Sequence, residues 1–331
     1  MTYAVPSALG RFSGVRYRSG YATHWAGLRA STGRRKLQLA LGVIWLLDAG
    51  LQYQPFMFHK QFVASVIQPA VAGNPAIIKD PMTWAIRVMN DHIAIYNILF
   101  ATIQLAIAVL ILRRRTVKAG LLLSIPWAVA VWWFGEGLGG ILTSPVASPF
   151  AGLPGGVILY AFIALLVWPR EEETSTSVAA SSPLGPAVTS LLWSLLWASF
   201  VYGLLQPANR SPKSLGSMTS GMGSGEPRWL ANLDQSLGNA ITGNGIEISI
   251  VCALLCVVIA VGILIPRLVR PTIIIAVAFS LTIWLIEDFG GIFTTQGTDP
   301  NTGPLLVLLA ATYWPYQPAL DAAPAINGRM P

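Results

Sequence analysis

Charged residues are scarce in this chain: they make up 11% of its 331 residues, whereas hydrophobic residues make up 54%. A soluble domain usually carries about 25% charged residues, so the surface of this protein cannot face water everywhere. Long uncharged runs are typical of helical membrane proteins. The composition therefore excludes an ordinary soluble domain.

Cysteine is nearly absent, and familiar catalytic motifs are missing. Cys252 and Cys256 lie in one apolar run at a spacing that puts them on one helix face. This pair excludes a disulfide framework and is typical of small packing residues. The sequence contains no Walker loop, dinucleotide fingerprint, nucleophile elbow or zinc-protease helix.

Acidic residues are outnumbered by basic ones, which gives a net charge of +7. The basic residues cluster beside apolar runs, so membrane topology explains them better than a nucleic-acid partner does. The clusters at 29–36, 113–118 and 267–270 fall on one side of the membrane if the chain alternates. We therefore predict a multi-pass protein of the cell membrane with both termini in the cytoplasm and the lipid bilayer as its main partner.

One pattern occurs twice, each time at the end of an apolar run. The two copies are Trp133-x-x-Glu136-x-Leu138-Gly139-Gly140 and Trp284-x-x-Glu287-x-Phe289-Gly290-Gly291. Other matched positions keep a nearly constant offset, which indicates an internal duplication. The Gly-Gly pair lets two backbones approach or a turn form.

We predict an all-α integral membrane protein whose eight transmembrane helices form two parallel four-helix repeats. The predicted spans are 37–55, 92–112, 117–136, 153–168, 190–206, 244–265, 271–289 and 303–316. The predicted domains are a basic tail (1–36), the first repeat (37–169), a flexible linker (170–189), the second repeat (190–316) and a tail (317–331).

Two long segments join the first and second spans of each repeat on the outer side. Segment 56–91 is partly apolar and should lie on the membrane surface or fold back against the bundle. Segment 207–243 contains a glycine-serine stretch at 216–225, which we expect to be mobile.

Carboxylates near lipid usually point into a bundle or cavity. Four of them lie toward the outer side: Asp48, Glu136, Glu247 and Glu287. One interpretation is that the two repeated glutamates cap loop amides beside interfacial tryptophans, and the other is that they form symmetric proton or cation sites. Asp48 and Glu247 occur in one repeat only.

The sharpest site hypothesis joins Asp48 and Glu136 to His59 and His92 at one outer-side polar site. Soft ligands suit Cu(I), and Met57 and Met89 lie close in sequence to the two histidines. Methionine also fills gaps in apolar surfaces, so packing is the competing interpretation.

Each half resembles the DoxX/DoxD-like family of four-span membrane proteins. The likeness rests on Gly245-Ile246-Glu247, which opens an apolar helix that ends in Pro266-Arg267, although Ile95 stands where Glu247 would be in the first half. The whole chain also looks like duplicated actinobacterial membrane proteins that carry Trp-Phe-Gly-Glu-Gly-Leu-Gly-Gly. The resemblance implies a membrane partner of redox proteins.

Three functions remain open from the sequence. The first is a non-catalytic accessory subunit of an envelope redox or metal-handling system, with copper or a quinone as the possible cofactor. The second is a small-solute or ion transporter with its path between the repeats. The third is a membrane enzyme that acts on a quinone or a lipid.

Overall fold

The computed structural model describes residues 16–170, 176–222 and 226–316, with side chains from Thr32 onward apart from those of Met222 and Asp288. The predictions for residues 1–15, for linker residues 171–175, for residues 223–225 of the glycine-serine stretch and for the tail at 317–331 lie outside the described residues. Within these ranges all regular secondary structure is helical. The α-helices are α1 (Arg16–Gln52), α2 (Lys60–Phe62), α3 (Gln68–Val71), α4 (Ala76–Asp91), α5 (Ile93–Leu112), α6 (Val117–Phe134), α7 (Gly156–Leu166), α8 (Gly185–Leu204), α9 (Ser214–Met222), α10 (Arg228–Ile241), α11 (Gly245–Gly262), α12 (Val269–Ile286) and α13 (Thr302–Thr312).

Five helices of the described chain are long and apolar enough to cross a membrane: α5, α6, α8, α11 and α12. Their outer faces carry large exposed apolar side chains such as Ile95, Leu122 and Leu254. A surface of this kind is stable only against lipid, because water would leave the apolar area unburied. The chain is therefore a helical, multi-pass membrane protein.

The other three expected spans fall on helices that are not among these five. The first, 37–55, lies mainly on α1, which begins at Arg16, inside the predicted tail, and ends at Gln52. The fourth and eighth fall on α7 and α13, each with 11 residues. At 1.5 Å per residue such a helix is about 17 Å long, roughly half the hydrocarbon thickness of a bilayer.

The two short helices form the centre of the bundle. Helix α7 packs against α6 and α13, and α13 also packs against α12 and α1. Most residues of α7 and α13 are buried, and none is exposed. This explains why both helices are apolar on all sides, because a helix surrounded by others has no face to leave polar.

Two consecutive arginines of α1 cap neighbouring helices at one end of the bundle. Arg34 donates to the carbonyl oxygens of Leu166, the last residue of α7, and of Trp168, both at 2.9 Å. Arg35 donates to the carbonyl oxygens of Ile111 and Leu112 at the end of α5. A cation at a helix C-terminus satisfies free carbonyls and complements the helix dipole.

The linker predicted to be flexible is packed where the structure describes it. Val178 and Ala179 are fully buried, and the amide of Ala179 donates to the carbonyl oxygen of Thr312 at 2.8 Å. The small Ser and Ala side chains that suggested a tether instead fit closely beside Arg34, whose guanidinium bonds to Ser181.

Both long segments are helical and fold against the bundle. In the first, α4 buries Met82 and Met89 and contacts α6. In the second, α9 and α10 form a hairpin, and the part of the glycine-serine stretch from Gly216 to Met222 is helical. A Cβ on Gly216 would lie 2.7 Å from the carbonyl oxygen of Gly238, so only glycine permits this close contact.

Candidate functional site

The loops that follow α6 and α12 adopt the same unusual backbone. Leu138 and Phe289 have φ values of 58° and 54°, and the two glycines after each of them are also in the left-handed region. A Cβ on Gly139 would lie 2.0 Å from the carbonyl oxygen of Pro154, and one on Gly290 would lie 2.9 Å from that of Pro300. Each glycine therefore allows its loop to press against the chain that leads into the next helix.

Each repeated glutamate caps that next helix. Glu136 Oε1 accepts a hydrogen bond of 3.2 Å from the amide of Val157, the second residue of α7. Glu287 accepts a hydrogen bond of 2.7 Å from the hydroxyl of Thr302, the first residue of α13. Free amides at a helix N-terminus favour a carboxylate, so the capping interpretation of the repeated motif has a direct structural basis.

Two aspartates join Glu136 at the same end of the bundle. Asp48 of α1 accepts a short hydrogen bond from the hydroxyl of Tyr160 in α7. Asp299, in the loop before α13, accepts bonds from the amide of Asn301 at 2.7 Å and from the hydroxyl of Thr298 at 2.9 Å. The charges of Asp48, Glu136 and Asp299 are close enough to act on one another, and Asp299 comes from the second half.

The surroundings of these carboxylates favour the protonated form. Burial, followed by the nearby charge of Asp299, raises the pKa of Glu136 to about 8, although amide hydrogen bonds oppose the shift. Burial likewise raises the pKa of Glu287 to about 8. Burial also raises the pKa of Asp299, against hydrogen bonds that lower it. A cation close to this cluster would favour the ionised carboxylates, and so would oppose both the effect of burial and that of the neighbouring negative charge.

Two cavities meet at the cluster. The glycine-lined cavity, about 560 Å³ in volume, is bounded by Gly73, Gly140, Gly152 and Gly155 and by the polar side chains of Thr143 and Asn301. The aromatic cavity, about 430 Å³, is bounded by the rings of Phe62, Trp84, Tyr96, Phe100, Trp127 and Phe134. Glu136 and Asp299 line both cavities, together with Val66, Gly135 and Thr298.

Neither cavity contains a basic side chain among its lining residues. The acidic side chains at the cavities therefore have no counter-ion from the part of the chain that the structure describes. A buried carboxylate without a counter-ion must hold a proton or attract a cation.

Several polar atoms around the aromatic cavity are buried and lack a hydrogen-bond partner within the described ranges. They are Asp48 Oδ1, Gln52 Oε1, Gln104 Oε1, Trp127 Nε1 and Glu136 Oε2. Such a group costs about 1–3 kcal/mol unless something satisfies it. Their convergence on one cavity indicates a place for a ligand.

The histidines predicted for this site lie elsewhere. His59 and His92 are both exposed and line neither cavity, and His59 Nδ1 is 2.7 Å from the carbonyl oxygen of Pro55. Met57 and Met89 are buried together in a small apolar cluster, although Met89 also reaches the aromatic cavity. No group of three or more His, Cys, Asp or Glu side chains in the described chain is placed to hold a metal ion.

The other predicted residues have local roles. Glu247 is exposed in the first turn of α11, where its charge complements the helix dipole. Trp133 is exposed at the end of α6, whereas Trp284 packs against Phe289 with ring centroids 5.0 Å apart. Glu287 is buried and lines neither cavity.

Sequence reasoning missed Asp299, Tyr160 and Trp132, whose indole donates to the carbonyl oxygen of Pro154 at 2.6 Å. A signal for Asp299 was present: it lies between Thr298 and Pro300, where the first half has the apolar Leu153 before Pro154. An acidic residue in only one of two similar loops is a candidate for a function that the other loop lacks.

A comparison with protein-family models finds no matching family, and comparisons with characterised proteins and with solved structures give no match. The resemblance to DoxX/DoxD-like proteins stays a prediction.

Proposed function

We propose that this protein is a membrane transporter for a small lipophilic organic cation, which binds in the aromatic cavity with its charged group at Glu136 and Asp299. One observation carries the proposal. Two carboxylates, for which the described residues provide no basic partner, lie at the edge of a cavity walled by aromatic rings. Aromatic faces and carboxylates both attract cations, and the rings also bury an apolar substituent.

The aromatic cavity suits such a ligand in size and access. Its volume of about 430 Å³ lies in the range of small-molecule sites. Trp84 and Leu99, which line it, are also among the exposed apolar side chains, so a ligand dissolved in the membrane could reach it from the side. An anion would find no basic side chain among the described residues that line either cavity.

The site draws on both halves of the chain, as a path between two repeats requires. Asp48 and Glu136 belong to the first half, and Asp299 belongs to the second. The matched loops with positive φ, and the matched glutamates that cap α7 and α13, support an internal duplication with two parallel four-helix repeats. The capping arginines and the cluster at 113–115 lie at the other end, which the positive-inside rule assigns to the cytoplasm together with both termini.

The other functions have less support. An accessory role in copper handling needs soft ligands that meet, whereas Met57 and Met89 pack together while His59 and His92 are exposed. A quinone presents carbonyl acceptors, which would face the unpartnered oxygens of Asp48, Gln52 and Gln104.

Binding of phenyltrimethylammonium tests the proposal, because tert-butylbenzene has the same shape without the charge. With the protein in lipid nanodiscs, we expect the cation to bind and to quench tryptophan fluorescence, and the neutral compound to bind at least ~10-fold more weakly, since a charge-assisted contact is worth about 1.5–3 kcal/mol. Asp299→Asn should weaken cation binding by a similar factor. Glu226→Gln is the matched control, since Glu226 lies before α10 and lines neither cavity.

Equal binding of the two compounds, or unchanged binding by Asp299→Asn, would overturn the cation site. The transport step is measured by uptake of labelled phenyltrimethylammonium into proteoliposomes, where we expect uptake above that of protein-free liposomes. Binding without uptake would overturn transport and favour an accessory subunit that binds a ligand.

A further inference from the structure

We propose that the bound cation exchanges with a proton, and that this proton passes between Glu136 and water through the glycine-lined cavity. The inference rests on the proposed function and identifies the proton as the ion that is exchanged for the transported cation. It starts from the position of Glu136 and Asp299, which line both cavities and so form the wall between them. A group in that wall can meet a lipophilic ligand on one side and water on the other.

The two cavities differ in what they can admit. The glycine-lined cavity exposes Thr143, Ser144 and Asn301 beside many backbone groups, so it can hold water molecules in hydrogen-bonded chains. The aromatic cavity has mostly apolar walls, and its few polar atoms cannot support a continuous chain of water. Protons therefore have a wet route on one side only, whereas an apolar cation has its route on the other.

The exchange balances in atoms and charge. A protonated Glu136 loses its proton to water, and the resulting carboxylate pairs with the arriving cation, so the net charge of the site is unchanged. Since burial raises its pKa to about 8, Glu136 is mostly protonated at pH 7 before the ligand binds. The cation stabilises the ionised form and lowers that pKa, which releases close to one proton.

The groups of the described chain that face Glu136 come from several elements, and all of them are acidic or neutral. They are Asp48 from α1, Tyr160 from α7, Glu287 at the end of α12, Asp299 from the loop before α13 and, across the aromatic cavity, Tyr96 from α5. A second negative charge beside Glu136 disfavours its ionisation, so only one of these carboxylates is expected to release a proton for each monovalent cation.

The two repeated glutamates both have a pKa raised to about 8, but they differ in their hydrogen bonds. Both carboxylate oxygens of Glu287 lie within hydrogen-bonding distance of the hydroxyl of Thr302, at 2.7 and 2.8 Å, and Glu287 is 3% exposed. Glu136 accepts hydrogen bonds only from backbone amides, and its Oε2 has no partner within the described residues. The first residue of α7 is Gly156, where α13 has Thr302, so the hydroxyl that satisfies Glu287 is missing at Glu136.

This difference can be engineered. A Cβ at Gly156 would lie 3.5 Å from its nearest neighbour, the carbonyl carbon of Asn301, which is ordinary contact. Gly156→Ser therefore has room for a hydroxyl that donates to Glu136 as Thr302 does to Glu287. That bond favours the carboxylate, so fewer protons should be released per bound cation at pH 7. Gly156→Ala adds the same carbon without the hydroxyl and isolates the effect of the hydrogen bond.

Isothermal titration of phenyltrimethylammonium into the protein in nanodiscs, in buffers of different ionisation enthalpy, measures binding and proton release together. We expect close to one proton per bound cation at pH 7, and almost none above pH 10, where Glu136 is already ionised. Gly156→Ser should release fewer protons than Gly156→Ala, and Glu136→Gln should release almost none.

Binding without proton release at pH 7 overturns the exchange and leaves the proposed function intact. Absence of any binding heat or fluorescence change overturns both. If the variants do not fold, the pH series on the unaltered protein decides alone, because proton release that is independent of pH between 6 and 10 also contradicts the exchange.

Discussion

Filling the aromatic cavity by Ala130→Trp is expected to abolish binding of phenyltrimethylammonium. Ala130 lies on α6 and lines this cavity, so a large ring at this position occupies the space that we assign to the ligand. The effect should exceed that of removing one carboxylate, because a filled pocket leaves the ligand neither its aromatic contacts nor its ion pair. Calorimetric titration of phenyltrimethylammonium into the variant in nanodiscs measures the loss of binding.

Ala119→Trp is the matched control. Ala119 lies on the same helix, is exposed and lines neither cavity. A tryptophan near the end of a membrane helix is well tolerated, so we expect binding like that of the unaltered protein. If Ala130→Trp still binds the cation with unchanged affinity, then the ligand does not occupy the aromatic cavity.

Gly139→Ala is expected to cause the largest loss of stability of any single methyl addition in the two repeated loops. Gly139 has a φ of 62°, and its new Cβ would lie 2.0 Å from the carbonyl carbon and oxygen of Pro154. Left-handed strain costs about 1–2 kcal/mol and overpacking about 1–3 kcal/mol more, so we expect a loss of roughly 2–5 kcal/mol. Thermal unfolding in detergent, followed by circular dichroism, measures the change.

Gly50→Ala is the control for that variant. Gly50 is exposed in α1, and a Cβ there meets nothing within 4 Å. Alanine is the better helix former by about 0.8–1 kcal/mol, so this variant should be as stable as the unaltered protein or more so. Equal melting temperatures for Gly139→Ala and Gly50→Ala would show that the loop does not need its glycine.

The repeated motif was the part of the site that sequence could predict. Its Gly-Gly pair indicated a turn or a close approach of backbones, and the loops at Gly139 and Gly290 have both features. The position of Glu136 beside Asp48 followed from the alternation of the helices. These inferences depended on local backbone chemistry and on chain direction, which a sequence carries directly.

The cavities could not be predicted, because they depend on contacts between residues that are distant in the chain. Asp299 reaches Glu136 only when the loop before α13 packs beside that before α7, and no periodic pattern encodes this approach. The central position of α7 and α13 also depends on contacts between residues that are distant in the chain. Their apolar sequences fit a membrane span, but their 11 residues form short central helices.

The histidines and methionines illustrate a different difficulty. Met57 and Met89 lie close in sequence to His59 and His92, and short spacing suggested a shared site. In the structure the thioethers pack inward while the imidazoles remain exposed. The apolar thioethers gain from burial, whereas a buried imidazole needs a hydrogen-bond partner or a metal.

A structure of the protein with 4-bromophenyltrimethylammonium, determined with the anomalous signal of bromine, tests the central claim most directly. The claim is that a lipophilic cation binds between Glu136, Asp299 and the aromatic rings. We predict that the bromine lies among Trp84, Phe100 and Trp127 and that the ammonium lies within about 6 Å of a ring centroid, beside the two carboxylates. Bromine density outside the aromatic cavity, at a ligand concentration that saturates binding, would contradict the account.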